Sequence, residues 1–474
     1  MITNHSDTII APATLPGTGA ISIIRISGPN AFRIVDAILQ TNGETISESK
    51  GYTAHYGTVK SPDGGLLDEV IATVFRAPHS YTGEDSVEIS CHASSYILSE
   101  LTRLLTEAGA RYAEPGEFTR RAFMNGKMDL AQAEAVADVI SSTTAASHRI
   151  AMNQLRGGVS RELALLRSEL LEMTSLLELE LDFSEEDVEF ADRNSLLSLV
   201  EKVSAHITKL TDSFRLGNAI KNGVPVAIAG PANAGKSTLL NALLGEDRAL
   251  VSDVAGTTRD TVEETLNLGG ILFRFIDTAG IRRSEDTVEK MGIERTFRKI
   301  SEAEIVLLLL DATLSESDLL NNTEEVIKSL DQERQHCLIL LNKVDKRDDA
   351  GVNKIVSYFN HSVTSIDLQG NIFPIAAKTG EGLERVKMRL TELEKGLIPN
   401  ADSTFITNER HFEALSSAAR YLAEVRSSLL SGTPADLVAE PLRLAISELG
   451  LITGDGITND EILGNIFAHH CVGK

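Results

Sequence analysis

One octapeptide restricts the possible folds of this 474-residue chain more than any other feature. Residues Gly230 to Ser237 read G-P-A-N-A-G-K-S and follow directly after the apolar run Val224 to Ala229. The pattern G-x-x-x-x-G-K-[ST] between a strand and a helix is typical of a P-loop, whose backbone N–H groups surround a phosphate at the helix N-terminus. In such a loop Lys236 would reach the β- and γ-phosphate oxygens, and the Ser237 hydroxyl would bind Mg²⁺. A simple glycine turn at a strand end is the alternative interpretation.

The sequence around this loop predicts an α/β domain. Apolar runs that alternate with helical stretches indicate a doubly wound, mostly parallel sheet. The four runs are Val224 to Ala229, Ile271 to Ile276, Ile305 to Leu310 and Cys337 to Leu341. The middle of the chain is therefore predicted to be a P-loop domain.

Two further motifs argue against the glycine turn and identify the nucleotide. The D-x-x-G motif at Asp277 to Gly280 follows the second apolar run; Asp277 would hold Mg²⁺ through water, and the Gly280 N–H would sense the γ-phosphate. The N-K-x-D motif at Asn342 to Asp345 follows the fourth run, and the Asp345 carboxylate can accept hydrogen bonds from both N1–H and N2–H of guanine. Adenine lacks that pair of donors, so the predicted ligand is GTP.

The remaining loops complete the predicted nucleotide site. Ala376 to Lys378 stand where S-A-K is usual; the missing Ser hydroxyl weakens the loop, but the Ala377 N–H remains for guanine O6. Thr258, within Gly256 to Asp260, is predicted to close over Mg²⁺ when the γ-phosphate is present. The predicted GTP-binding residues are Asn233, Ala234, Gly235, Lys236, Ser237, Thr238, Ser252, Asp253, Val254, Ala255, Gly256, Thr257, Thr258, Asp277, Thr278, Ala279, Gly280, Asn342, Lys343, Asp345, Ala377 and Lys378.

Hydrolysis needs a group that the usual pattern does not supply here. Ile281 follows the D-x-x-G motif, where Ras-like enzymes carry a Gln that positions water, and an aliphatic side chain cannot orient a nucleophile. The nearby acids are Glu285, Asp286 and Glu289. The nearby arginines are Arg259, Arg282 and Arg283. A role as solvated switch residues is more ordinary for them than a role as an arginine finger.

Composition limits the other function classes. Acids outnumber Lys and Arg by 68 to 45 and the formal charge is −23, which argues against general binding to polyanions, so an RNA substrate would need a local basic patch or a partner protein. No apolar run is long enough to span a membrane, and no cleavable signal is expected at the start of the chain. Three separated cysteines, Cys91, Cys337 and Cys471, favour a reducing, cytoplasmic location.

Outside the P-loop domain the pattern changes twice. Short β-rich runs with turn signals predict a compact α+β unit in the first part of the chain. Two seams of helical spacing predict long helices, at Leu163, Leu166, Leu170, Met173 and Leu177 and at Phe412, Leu415, Ala419, Leu422 and Val425, with a further helix near Pro441 to Leu449. The predicted fold is multidomain: an α+β N-terminal domain over 1–125, an all-α helical domain over 126–222 and 398–474, and an inserted α/β P-loop G domain over 223–397.

With these residues in place, the chain resembles the MnmE (TrmE) family of tRNA-modification GTPases along its whole length. The terminal C-V-G-K on a P-loop GTPase is a specific signal. The other segments that carry the resemblance are T-L-P-G-T-G at Thr14 to Gly19, I-I-R-I-S-G at Ile23 to Gly28, S-Y-T-G-E-D at Ser80 to Asp85, P-G-E-F-T-R-R-A-F-M-N-G-K-M-D-L-A-Q-A-E at Pro115 to Glu134 and A-G-T-T-R-D at Ala255 to Asp260.

The resemblance implies a function and a set of partners. It implies a cytoplasmic, K⁺-dependent GTPase that forms a homodimer through its N-terminal domain and an α2β2 heterotetramer with the flavoprotein MnmG, which carries FAD and uses NADH. Together the two proteins would add an aminomethyl or carboxymethylaminomethyl group to C5 of the wobble uridine of certain tRNAs. The one-carbon unit would come from 5-formyl- or methylene-tetrahydrofolate bound to the N-terminal domain. Neither a membrane nor DNA is implied.

The resemblance also implies roles for individual residues. Besides Lys236 and Thr258, the catalytic residues would include Glu289, which matches the family's water-positioning Glu. Asn233 matches the family's K⁺-ligating Asn and would act with switch I atoms of Ser252, Val254 and Thr257, although Pro231 and Ala232 are displaced relative to the family pattern. The residues implied to bind folate are Arg25, Glu88, Lys127 and Lys474. Cys471 is either a nucleophile at uridine C6 or, more ordinarily, a structural thiol.

Two rival functions stay open on the sequence. A ribosome-assembly GTPase would need a basic RNA-binding module, and a membrane-remodelling GTPase like the dynamins would need an amphipathic or basic membrane patch. We find neither feature in this acidic chain. Binding of 5-formyltetrahydrofolate and acceleration of hydrolysis by K⁺ but not Na⁺ would distinguish the wobble-uridine enzyme from both rivals.

Overall fold

The structure is a computed structural model. It describes residues 7–15, 17–182, 193–245, 264–276, 300–331, 334–362, 370–394, 404–455 and 473. The chain forms two compact units. The first unit contains Met1–Ser141, Ala151–Thr211 and Glu409–Lys474, and the second contains Ser142–Ile150 and Asp212–Asn408.

The N-terminal part of the first unit is built on a seven-stranded sheet in the order β3-β4-β5-β6-β2-β1-β7. All neighbours pair antiparallel except β1 and β7. The strands are β1 Ile9–Pro12, β2 Ile21–Ser27, β3 Leu39–Thr41, β4 Thr53–Lys60, β5 Leu66–Phe75, β6 Ser86–His92 and β7 Arg111–Tyr112. The helices of this part are α1 Ala31–Ile38, α2 Ser95–Glu107 and α3 Glu117–Met124.

The two faces of this sheet differ because alternate residues of each strand point to opposite sides. Ile24 and Ile26 of β2 and Val87 and Ile89 of β6 pack in one core with apolar residues of α1 and α2. Arg25, between the two isoleucines, lies on the other face, where its register partner is Glu88. The predicted α+β class of this region is confirmed.

The rest of the first unit is helical. Its helices are α4 Leu130–Ser141, α5 Ala145–Leu155, α6 Gly158–Asp182, α7 Arg193–Asn222, α12 Glu409–Leu430 and α13 Ala435–Thr453, of which α5 and α7 also contribute residues to the second unit. A reciprocal cap starts α4: the Gln132 N–H donates to Asp129 Oδ1 at 2.8 Å, and the Asp129 N–H donates to Gln132 Oε1 at 3.0 Å. The chain then passes through the second unit before α12 and α13 return to the first, as predicted for an inserted domain.

The predicted seam of α6 is confirmed for its described members, whereas that of α12 is partly wrong. In α6 the leucines at 163, 166, 170 and 177 are buried, and the Met173 side chain lies outside the described residues. In α12 the prediction placed Phe412 and Ala419 in the seam, but both are only half-buried; the core residues are Ala414, Leu415, Ala418, Leu422 and Val425. The physical reason is His411, which takes an inner position because its imidazole pairs with Glu134 of α4. The further helix, α13, starts six residues before Pro441.

The second unit contains a six-stranded sheet in the order β13-β12-β11-β8-β10-β9. Every neighbouring pair is parallel except β9 and β10. The strands are β8 Val224–Ala229, β9 Glu264–Leu268, β10 Ile271–Phe275, β11 Ile305–Asp311, β12 His336–Asn342 and β13 Ile372–Pro374. The helices are α8 Lys236–Leu244, α9 Glu316–Ile327, α10 Asp349–Ser362 and α11 Leu383–Leu393.

Both faces of this sheet are covered, which explains the uninterrupted apolar runs of its strands. Leu307 and Leu309 of β11 share a core with Leu239 of α8. Leu308 and Leu310 belong to a second core, on the opposite face, together with residues of α9 and α10. The predicted doubly wound, mostly parallel class is confirmed. Within the described ranges, no helix combines the length and the apolar character needed to cross a membrane.

Candidate nucleotide site and its family

The P-loop connects β8 to α8, and its geometry requires glycine at two positions. Gly230 has φ +141°, and a Cβ there would lie 2.2 Å from the Leu309 carbonyl oxygen. Gly235 has φ +100°, and a Cβ there would lie 2.6 Å from Asn342 Nδ2. The first and sixth residues of the octapeptide are therefore fixed by the close approach of β11 and β12, independently of any ligand.

Lys236 begins α8 and folds back over the start of the loop. Its Nζ donates to the carbonyl oxygens of Gly230 and Pro231, both at 2.8 Å. Burial lowers the pKa of this ammonium, because removal from water disfavours the charged form. At both bonds the acceptor is a neutral carbonyl oxygen, so neither neutralises the charge of the Lys236 ammonium. The ammonium is therefore suited to bind an anion at this loop.

Asn342, at the end of β12, connects two loops of the site. Its Nδ2 donates to the Ala234 carbonyl at 2.8 Å, and its Oδ1 accepts the Ala377 N–H at 2.9 Å. This second bond changes one prediction. The Ala377 N–H, which was expected to remain for guanine O6, already has the Asn342 side chain as its acceptor.

The residues that would recognise the base lie beside this connection. Lys343 has a left-handed backbone with φ +66° and donates from Nζ to the Asn233 carbonyl at 2.9 Å and to Asp311 Oδ2 at 2.5 Å. Asp345 follows in a short 3₁₀ turn, Val344–Lys346, and its side chain is exposed, as is that of Lys378. The exposed Asp345 carboxylate is accessible to a base.

One site residue was missed by the sequence analysis. Asp311 ends β11, the strand between β8 and β12, and its carboxylate pairs with Lys343. The only sequence signal is an acid directly after an apolar run, which many strands share.

Ser237 and Thr238 lie in the first turn of α8, with Ser237 half-buried and Thr238 exposed.

Several predicted residues lie outside the described part of the chain. They are Ser252, Asp253, Val254, Ala255, Gly256, Thr257, Thr258, Asp277, Thr278, Ala279, Gly280, Glu289 and Lys474, together with Cys471, Ile281 and the acids and arginines considered near the D-x-x-G motif. Their roles stay predictions.

Comparisons with known proteins place the whole chain in one family. A family model of the MnmE helical domain matches residues 130–471, and a model described as the GTP-binding protein TrmE N-terminus matches residues 8–127. A Bacteroides fragilis protein called tRNA modification GTPase MnmE is 48% identical over 472 residues, which cover 99% of this chain and 100% of that protein. The chain belongs to the MnmE family. A Cytophaga hutchinsonii protein with the same name is 48% identical over 474 residues, 100% of this chain and 99% of its own.

Among solved structures, a variant of Aquifex aeolicus Era bound to GDP and AlF4⁻ is 25% identical and superposes on 42% of this chain and 66% of its own, with a TM-score of 0.28. The G domain of the Thermotoga maritima FeoB iron transporter is 25% identical and covers 36% of this chain and 97% of its own, with a TM-score of 0.24. At these TM-scores no further conclusion depends on either structure.

A second group of predicted residues meets on the face of the N-terminal sheet opposite its α1 and α2 core in this MnmE-family chain. Arg25 donates from Nε to Glu88 Oε1 at 2.9 Å, and its Nη2 lies 2.8 Å from the same oxygen. Its Nη1 donates to the Gly473 carbonyl at 3.1 Å, so Gly473 contacts the N-terminal domain. The guanidinium also lies 5.1 Å from the Tyr81 ring centre.

Lys127, the third described member of this group, bonds elsewhere. Its side chain is exposed, and Nζ donates to the Pro78 carbonyl at 2.9 Å. Pro78 belongs to the loop that also carries Tyr81, so Lys127 is linked to the Arg25 region through that loop. The structure thus brings Arg25, Glu88 and Gly473 together directly, but Lys127 only indirectly.

Proposed function

We propose that this protein is a GTP hydrolase that acts in tRNA modification. The single observation that carries the proposal is the Asn342 bridge between the P-loop and the Ala377 loop, with the exposed Asp345 beside it. This arrangement joins a phosphate-binding loop to a guanine-recognition motif. It occurs in a chain with 48% identity, over nearly its full length, to proteins named tRNA modification GTPase MnmE.

The described residues fit the chemistry of GTP. Lys236 would exchange its two carbonyl acceptors for β- and γ-phosphate oxygens, and backbone N–H groups from Asn233 to Thr238 would complete the phosphate cradle. Asp345 would accept the guanine N1–H and N2–H. The Ala377 N–H would reach guanine O6 only by sharing its hydrogen with Asn342, so this contact is weaker than the motif implies.

The metal ions of the proposal fit the donors at the start of α8. The Ser237 hydroxyl would bind Mg²⁺ together with Thr258, and the ion would neutralise charge that develops on the phosphates. The Asn233 side chain is exposed on a left-handed residue with φ +62°, so its amide oxygen can serve as the K⁺ ligand, together with atoms of Ser252, Val254 and Thr257. Glu289 would orient the attacking water in place of the Gln that Ile281 replaces.

The resemblance to the MnmE family supports a more specific proposal. We propose that a cytoplasmic homodimer works with MnmG, which carries FAD and uses NADH, in an α2β2 complex, and that it drives aminomethyl or carboxymethylaminomethyl transfer to C5 of the wobble uridine of certain tRNAs. Arg25, Glu88, Lys127 and Lys474 would bind the folate that supplies the one-carbon unit. A guanidinium suits the folate's glutamate carboxylates, and Arg25 would then exchange part of its pairing with Glu88 for the ligand.

The nucleotide part of the proposal is tested by base specificity. Asp345→Asn should lower GTP affinity by at least about tenfold and raise affinity for xanthosine triphosphate, because the amide N–H pairs with the second xanthine oxygen. Asp349→Asn, an exposed change four residues away, is the matched control and should leave both affinities unchanged. Fluorescent-nucleotide titration measures them. Equal GTP affinity in Asp345→Asn and the control would refute the assignment.

The tRNA part is tested in cells that lack the protein. Mass spectrometry of wobble uridines in their tRNA should show loss of the C5 modification, with recovery when the unmodified protein is restored and none with Asp345→Asn. The purified protein should hydrolyse GTP faster with K⁺ than with Na⁺. Normal uridine modification in cells without the protein would overturn this function even if GTP hydrolysis were demonstrated.

A further inference from the structure

Asp311 occupies a central place in the sheet of the second unit. It ends β11, whose neighbours are β8, which leads into the P-loop, and β12, which leads into the N-K-x-D motif. Asp311 is in register with Asn342 across the β11–β12 pair. Its carboxylate therefore lies between the two segments predicted to bind the phosphates and the base, although it belongs to neither motif.

The Asp311 carboxylate is held in one orientation by the chain that follows it. Oδ1 accepts the Thr313 N–H at 3.0 Å and the Thr313 hydroxyl at 2.7 Å. Oδ2 accepts from Lys343 Nζ at 2.5 Å. Burial alone would raise the pKa of Asp311, but the hydrogen bonds from Lys343 and Thr313 outweigh it and hold the pKa below its ordinary value. The carboxylate is thus ionised at neutral pH.

Lys343 connects the Asp311 carboxylate to the P-loop. The same ammonium that pairs with Asp311 donates to the Asn233 carbonyl at 2.9 Å. Lys343 has a left-handed backbone, which costs free energy for such a residue and persists where neighbouring contacts support it, and Asn233 has the same conformation, which asparagine adopts more readily. In the described part of the chain only one other non-glycine residue, Tyr52, has a positive φ. Asp311, Lys343 and Asn233 therefore form a continuous chain of contacts that ends on the main chain of the P-loop.

We propose that Asp311 is a positioning residue of the nucleotide site, which fixes the Lys343 ammonium on the Asn233 carbonyl and so preorganises the P-loop before the nucleotide binds. This inference rests on the proposed GTP binding and adds a residue to that site. Asp311 does not touch the nucleotide in this scheme. It acts by reducing the ordering that binding requires, and such preorganisation raises affinity without a new contact to the ligand.

The test is a double-mutant cycle on GDP affinity. Asp311→Asn removes the charge at nearly constant size, and Lys343→Met removes the ammonium but keeps the stem. Each single change should weaken GDP binding by about tenfold. Because both remove the same contact, the double variant should bind no more weakly than Lys343→Met alone, and kcat at saturating GTP should stay within about twofold for Asp311→Asn. Asp311→Glu, which keeps the charge, should recover most of the affinity.

A matched control and a second variant keep the outcome decisive. Glu316→Gln breaks another ion pair of the same unit, with Lys354 at 2.9 Å, and should leave GDP affinity unchanged. If Asp311→Asn does not fold, Thr313→Val, at an exposed position, removes one bond that orients the carboxylate and should weaken GDP binding only when Lys343 is present. Wild-type affinity in Asp311→Asn, or losses that multiply in the double variant, would overturn the inference. Failure of the unmodified protein to bind GDP or GTP would instead refute the proposed function.

Discussion

The side chain of Asn342 is hydrogen-bonded to the main chain of Ala234, 108 residues earlier, with Nδ2 and the carbonyl oxygen 2.8 Å apart. The bond joins the end of β12 to the middle of the P-loop. The position of this Nδ2 also explains why residue 235 must be glycine, since a Cβ there would lie 2.6 Å from the same atom. The N-K-x-D motif and the P-loop are therefore directly connected, and a substitution at Asn342 should weaken phosphate binding.

Asn342→Asp is expected to weaken GDP binding by about tenfold to a hundredfold, because a carboxylate cannot donate to the Ala234 carbonyl and leaves a buried acceptor without its partner. Asn342 is 3% exposed, so water cannot take over the bond. Fluorescent-GDP titration measures the effect. Asn360→Asp, an exposed change in α10 of the same unit, is the control. The prediction is wrong if both variants bind GDP equally well.

Gly473→Ala is expected to weaken binding of 5-formyltetrahydrofolate by about tenfold while GTP hydrolysis stays unchanged. Gly473 has φ +97°, and a Cβ there would lie 2.2 Å from the Pro12 carbonyl oxygen, so the Gly473 backbone must shift and its carbonyl must lose the bond from Arg25. Calorimetric titration with the folate gives the affinity. Gly43→Ala, where a Cβ meets nothing within 4 Å, is the control. Unchanged folate affinity in Gly473→Ala would separate the C-terminus from the proposed folate site.

The strands of the second unit could be predicted closely because their chemistry is simple. β8 has the bounds expected from its apolar run, and β11 extends the expected run by one residue, Asp311. Strands buried on both faces give uninterrupted apolar runs. β9, with the sequence E-T-L-N-L at the edge of the sheet, and the three-residue β13 have no such run, so the sequence did not indicate them.

The candidate site was predictable as far as its motifs extend along the chain. Spacing alone identified the P-loop and Asn342 to Asp345, because these residues lie next to one another. The Asp311–Lys343 pair depends on the pairing of β11 with β12, and the Asn342–Ala377 bond on the pairing of β12 with β13. The inner position of His411 likewise depends on Glu134, which lies far away in the sequence. Contacts of this kind are set by tertiary structure, and a single sequence does not show them.

Local stability of the helical part of the first unit is expected to fall as the pH decreases from about 4.5 to about 2. Glu134 accepts from Arg410 Nε and Nη2, both at 2.9 Å, and its Oε2 lies 2.7 Å from His411 Nε2. Burial alone would raise the pKa of Glu134, but His411 and Arg410 outweigh it and hold the pKa at about 2. A depressed folded-state pKa gives stability that is complete above the unfolded value and lost below it.

Amide hydrogen exchange in α4 and α12, followed by mass spectrometry at pH 6, 4 and 3, measures this effect. Glu134→Gln should lower protection by about 3 kcal/mol at pH 6 and flatten its pH dependence. Glu413→Gln, an exposed change on α12, should follow the unmodified protein. A pH profile in Glu134→Gln as steep as that of the unmodified protein would contradict the assignment.

In the second unit, Glu394 has a pKa that is raised, whereas that of Glu134 is lowered. It follows α11, is 5% exposed, and lies near Glu304, whose carboxylate Oε1 is 3.1 Å from Arg215 Nη2. Burial and, to a smaller extent, the negative charge of Glu304 raise the pKa of Glu394 to about 7, against the opposing charge of Arg215. The folded state therefore favours the protonated acid, and stability that is complete below the unfolded pKa of about 4.5 is lost as the pH rises to about 7.

Glu394→Gln replaces the ionised carboxylate by a neutral amide of the same shape and should therefore stabilise the second unit at pH 8 by up to about 3 kcal/mol, with little change at pH 4.5. Hydrogen exchange in α11 and β13 at the two pH values measures the difference. Glu392→Gln, two residues earlier and exposed, removes a charge that the fold does not bury and should show no such gain at pH 8. The gain in stability is expected only at a pH where the native carboxylate must ionise. Equal effects of Glu394→Gln at both pH values, or lower protection at pH 8, would contradict the prediction. Either result would show that the ionised Glu394 carboxylate is stabilised by a partner and not destabilised by burial.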